Sequence, residues 1–221
     1  MSLQTLTAAT FVLVVIGMAR YKRLTIAFKI LNLYLLFEGF MYFFDKWNIT
    51  NYKNNIIYQH IDTACTYIFI ALIYYFIFKN KYIKASILVS IVLVSICSIV
   101  NALFIQKYSS LFPTNIMMLT EVLCVILAIM LFKKMLLFSS EINIIKQSIF
   151  WFNTGVIIYN SSLFLASVLA NYLAGHMKMN YFIMVYFWYG TIFLFYIFLL
   201  IAILTDRKES PDIYVAPGDP K

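Results

Sequence analysis

Residues 181–204 read YFIMVYFWYGTIFLFYIFLLIAIL, twenty-four residues with no charge and no proline. A helix of that length rises about 36 Å at 1.5 Å per residue, enough to cross about 30 Å of hydrocarbon. Six further apolar runs precede it, so that spans are expected at 3–19, 25–44, 56–78, 85–105, 116–132, 148–173 and 181–204. The runs are long and unbroken rather than alternating in tens, which selects helices over an outer-membrane barrel. Of the 221 residues, 63% are hydrophobic and 12% charged, against about 25% charged in soluble domains. The expected fold is therefore all-α: a polytopic membrane protein whose residues 1–204 form a seven-transmembrane-helix bundle. The remainder is too short for a second domain of ordinary size, and 205–221 reads as a Pro-containing cytoplasmic tail.

Charge gives the expected direction. The run from Leu3 to Ala19 has no charge before it and Arg20, Lys22 and Arg23 after it. A secretion signal has the opposite polarity, so this is read as a retained span with its N-terminus outside. Alternation then assigns the loops. Twelve of the 17 Lys and Arg residues fall in inner loops and tail, four in outer loops, and Lys29 just inside the second span. That bias follows the positive-inside rule and puts the C-terminus in the cytoplasm. It accounts for most of the net charge of +8 without a basic run suited to nucleic acid.

Several chemistries lack their residues. There is no GxxxxGK[ST] or GxGxxG loop, and no lysine in the last span for a retinal Schiff base; no cofactor is expected. Cys65, Cys97 and Cys124 stand singly in three spans without a CxxC spacing, so they read as small apolar residues. All four prolines lie outside the spans, whereas many transporters break helices to build a midplane site. Seven-helix receptors of eukaryotes share only the helix count, because the third span ends YYFIFKN without a DRY motif. Ceramidase-type hydrolases need several histidines, and this chain has His60 and His176.

The informative residues are ionisable groups within the spans, which hydrocarbon penalises. Glu38, His60, Asp62 and Glu121 all lie roughly 6–10 Å below the expected outer boundary. On the second span Tyr34, Glu38, Tyr42 and Asp45 share a face. His60 and Asp62 are two residues apart, about 200° around a helix, so at most one of them joins Glu38, and Asp62 is favoured. Neutral polar stripes add Ser86, Ser90, Cys97 and Asn101 on the fourth span, and Asn153, Asn160, Ser167 and Asn171 on the sixth. Such stripes also serve as interhelical glue. The expected ligand-binding set is Glu38, Asp62, Asn101, Glu121 and Asn160, facing a small polar or cationic ligand. A divalent metal on Glu38, His60, Asp62 and Glu121 is a weaker alternative, since no HxxxH or ExxH spacing supports it.

Three stretches carry a family resemblance: NLYLLFEGFMYFF (32–44), NNIIYQHIDTACTYIFIALIYYFIF (54–78) and FWFNTGVIIYNSSLFLASVLANYL (150–173). Over about a quarter of the chain they resemble small seven-helix integral membrane proteins of Bacteroidota, often encoded near sensor histidine kinases. The resemblance implies a bacterial cytoplasmic (inner) membrane and a sensing or accessory role, and it supplies no catalytic residues. Its members often carry a glutamate in the third span where this chain has the Asp62–Cys65 region. The reading favoured is a receptor-like sensor or accessory signalling subunit, not an enzyme. It would lie in the lipid bilayer and reach a cytoplasmic signalling protein through the tail 205–221. Three alternatives stand beside it: an ion or proton channel or transporter, a membrane-embedded metal-dependent hydrolase, and a structural subunit of a membrane complex.

Overall fold

The computed structural model describes residues 3–52, 56–108, 112–137, 144–176 and 181–207. Among them are seven α-helices: α1 Leu3–Ala19, α2 Ile26–Tyr52, α3 Ile56–Ile77, α4 Lys81–Val100, α5 Thr114–Leu137, α6 Ser148–His176 and α7 Tyr181–Thr205. Each expected apolar run carries a helix. Six of them are long and apolar enough to cross a membrane, while α1, at 17 residues, is shorter. α2 continues two turns past residue 44, through DKWNITNY, because hydropathy marks where hydrocarbon ends and not where helical hydrogen bonding ends.

Helix ends follow their local chemistry. The Asn80 side chain caps α4, its Oδ1 accepting from the backbone N–H of Tyr82 at 2.8 Å and of Ile83 at 3.4 Å. This satisfies orphan amides of the first turn and lets three residues turn α3 into α4. At its other end α4 widens into a π-helical turn, Asn101–Ile105. Gln106 then ties it to α5: it accepts from the Asn101 amide at 3.1 Å and the Asn115 N–H at 3.1 Å, and donates to Thr114 Oγ1 at 2.7 Å.

Helices α1, α2, α3, α5, α6 and α7 form a closed ring in that order, with α7 returning to α1. α4 packs outside the ring, chiefly on α3. Its far side exposes Leu88, Val89, Val92, Leu93, Ile96 and Ile99. A continuous apolar face of that length has no place on a water-soluble monomer and suits lipid contact. Two close approaches need glycine: a Cβ at Gly17 would overlap the Asn32 side chain, and one at Gly155 would lie 2.8 Å from the Phe198 Cβ.

The ring has two unlike ends. Toward the α1–α2 and α6–α7 termini that include Thr25, Ser148 and Asp206, the centre is dry and aromatic. Phe152 packs between Phe28 and Tyr74, with ring centroids at 6.2 and 5.6 Å, and Tyr74 stacks on Phe78 at 6.2 Å. Asn153 is engaged within it: Tyr74 Oη donates to Asn153 Oδ1 at 2.7 Å, and Asn153 Nδ2 donates to the Ala128 carbonyl at 2.9 Å. The opposite end holds the acids.

Candidate functional site: an acidic end and a fastened end

Glu38 on α2 is 6% exposed, Glu121 on α5 is 4% exposed, and Asp62 on α3 is half-buried. The Thr66 hydroxyl donates to Glu38 Oε1 at 3.1 Å, linking α3 to α2. Tyr34 and Tyr58, each one turn before its acid, face Glu38 and Asp62. A chain of hydroxyls continues toward the middle of the ring. Tyr42 and Tyr196 are 2.9 Å apart, and Thr10 lies 3.0 Å from Tyr196, so α1, α2 and α7 meet through oxygen atoms.

Asp62 and Glu121 line one small cavity of about 60 Å³ between α3, α5, α6 and α7, together with Thr66, Thr120 and Asn160. It has room for one or two water-sized groups at roughly 30 Å³ each. Glu121 Oε1 accepts from Ser167 at 3.4 Å. Glu121 Oε2 and Asp62 Oδ1 are buried and have no hydrogen-bond partner. A buried acceptor without a donor costs about 1–3 kcal/mol, more when charged, so these two atoms are the expensive part of the molecule.

The structure thus brings Asp62, Glu121 and Asn160 to one cavity, with Glu38 joined to its wall through Thr66. Asn101 does not belong there: it sits in the π-turn of a helix outside the ring and bonds Gln106. His60 faces the other way, as 200° of helix requires, into a groove of about 400 Å³ between α3 and α4 beside Ser95 and Ser98. The four-residue metal alternative is therefore not assembled. Among the described residues no three His, Cys, Asp or Glu side chains come together as a metal site needs. The Asn171 side chain and tail residues 208–221 lie outside the described residues.

The expected polar stripes do not form a wet route. On α4, Ser86 and Cys97 are exposed on the outer side, and Ser90 is engaged by Tyr67 at 2.7 Å. On α6, Asn153 is locked in the aromatic centre. A larger hollow, about 700 Å³, is an apolar cleft between α1 and α2, with Lys46 among its lining residues and no acid on its walls.

Sequence reasoning missed the polar knot at the other end. Asp206, just past α7, is 2% exposed. Its Oδ2 accepts from the Thr25 N–H at 2.8 Å and its Oδ1 from Ser148 Oγ at 3.0 Å, while the Thr25 hydroxyl lies 3.2 Å from Oδ2. The Arg20 guanidinium donates to the Asp206 carbonyl at 3.2 Å. One carboxylate so receives a backbone N–H at the start of α2 and ties it to the Ser148 hydroxyl at the start of α6, where helix N-termini favour negative charge. Burial nevertheless pushes its carboxyl above the ordinary range, with the Thr25 and Ser148 hydrogen bonds and Arg20 opposing that rise. The available signal was a Thr and a Ser directly at two helix starts, with an acid directly after a third helix.

Neither a protein-family model, nor a curated protein, nor a solved structure matches this chain. What can be stated is the membrane architecture: an all-helical chain with several helices of membrane-spanning length and apolarity.

Proposed function

We propose that this chain is a receptor-like membrane sensor or accessory signalling subunit of a bacterial inner membrane, with its N-terminus outside and its tail in the cytoplasm. The observation that carries the reading is the asymmetry of the ring. Buried acceptors without donors, Asp62 Oδ1 and Glu121 Oε2, surround a cavity at one end, and an aromatic plug closes the other. A site open to a ligand from one side and sealed toward the other suits recognition. It gives no support to continuous conduction. The excess of Lys and Arg in the loops at the Asp206 end supports the orientation by the positive-inside rule. Ligand binding at the acidic end draws α3 and α5 together, and α6 and α7 carry the change to Asp206 and the tail beyond it.

The test uses full-length protein in liposomes with Cys65, Cys97 and Cys124 replaced by Ala and a fluorescent label on Arg207→Cys. Alkali cations, ammonium, amines and guanidines are supplied to the outer face in turn. The reading expects at least one of them to change label emission in the parent and not in Glu38→Gln, without ion flux. Flux that depends on Glu121 supports the channel instead. A silent label across the whole set, with the protein folded, rejects the sensor.

A further inference from the structure

The chemistry of the cavity wall narrows what it accepts. The threonine hydroxyls on that wall and that of Tyr67 give their protons elsewhere. Thr63 donates to the Gln59 carbonyl at 2.7 Å, Thr66 to Glu38, and Thr120 to the Ile116 and Met117 carbonyls at 3.0 and 2.9 Å. Ser90 donates to the Ile87 carbonyl at 2.7 Å, so the Tyr67–Ser90 bond uses the Tyr67 proton. Asn160 directs its amide N–H to the Val156 carbonyl at 2.8 Å, which leaves its Oδ1 as an acceptor. Into this ring of lone pairs project Asp62 Oδ1 and the 96%-buried Glu121, whose Oε2 has no donor. The Gln59 amide, the Tyr159 hydroxyl and the Trp188 indole N–H also line the cavity, yet none of them bonds Asp62 Oδ1 or Glu121 Oε2, and an anion would face two carboxylates. A positive group in the cavity faces both carboxylates that line it and offsets their burial.

Size and donor set limit that group further. A space of about 60 Å³ favours a small group over a bulky quaternary ammonium. Divalent ions give up hydration reluctantly and take more oxygen ligands, and no three acids, histidines or cysteines converge among the described residues. We propose that the Asp62–Glu121 cavity binds one small monovalent cation, sodium or ammonium, with Thr66, Thr120 and Asn160 supplying neutral oxygens. The proposal rests on reading this cavity as the ligand end, and it is independent of whether occupancy is transmitted to the tail.

The experiment is thermal unfolding of the full chain in detergent at fixed pH and ionic strength, titrating sodium chloride or ammonium chloride against choline chloride. A ligand bound only by the folded state raises the midpoint with the logarithm of its concentration, by about 3–5 °C for each tenfold excess over its dissociation constant. The expected result is such a rise with sodium or with ammonium, whichever the site prefers, and a loss of affinity of about tenfold or more in Glu121→Gln. Asp206→Asn keeps the rise. Identical midpoints in all three salts overturn the proposal, as does an equal rise in Glu121→Gln. If that variant does not fold, the parent series alone decides. A cation-dependent midpoint with a silent label at position 207 leaves the site standing and removes the sensor. A label response to other ligands with no cation dependence does the reverse.

Discussion

The two ends of the ring hold buried carboxylates in opposite circumstances. Asp206 receives a backbone N–H and two hydroxyls from the starts of α2 and α6. Glu121 receives one long hydrogen bond from Ser167, and its second oxygen receives none. Both groups are almost fully removed from solvent, so exposure does not separate them; partners do. A satisfied carboxylate holds helices together, whereas an unsatisfied one weakens the fold and persists where something else uses it.

Breaking the satisfied end has the largest effect. Asp206→Ala removes the shared acceptor of the Thr25 N–H and the Thr25 and Ser148 hydroxyls and is expected to cost about 2–4 kcal/mol, read as a lower unfolding midpoint, with Asp206→Asn recovering most of the loss. Next comes the close approach at Gly155. Gly155→Ala sets a methyl 2.8 Å from the Phe198 Cβ and is expected to cost about 1–3 kcal/mol by overpacking. Tyr74→Phe leaves Asn153 Oδ1 without its donor, a loss of about 0.5–1.5 kcal/mol.

Acidity sharpens the comparison at Asp206. Its folded-state carboxyl lies above its ordinary value, so the protonated form is the one folding favours. Its contribution is therefore complete below about pH 4, the unfolded value, and declines as pH rises through the raised folded value. The stability of Asp206→Asn relative to the parent should accordingly improve between pH 4 and pH 7, as followed by paired melts. If that difference moves the other way, hydrogen bonding outweighs burial at this carboxylate. The smallest effect belongs to the acidic end: Glu121→Gln is expected to leave stability unchanged or raise it by up to about 1 kcal/mol, because a buried acid with one oxygen unsatisfied gives way to a neutral amide of the same shape.

Much of the fold could be read in the sequence, because each helix is an apolar run with a polar stop. Leu3–Ala19 and the Asn80 turn need only local rules. The opposed faces of His60 and Asp62 follow from helical phase, and the structure places them in different hollows. Asn101 illustrates the limit. Its spacing on α4 matches a buried stripe, but spacing cannot reveal that α4 packs outside the ring or that its last turn widens to π geometry. Asp206 illustrates another, since a carboxylate shared by residues 25, 148 and 206 becomes visible only when three distant chain positions are brought to one end.

The account's central claim is that the acids at the two ends serve different purposes. The most direct test melts Glu121→Gln and Asp206→Ala beside the parent, in one detergent at pH 7 and with choline as the only added cation. The account predicts a clear loss for Asp206→Ala and an unchanged or higher midpoint for Glu121→Gln. A comparable loss in both would contradict it, and Glu121 would then be a structural residue like Asp206.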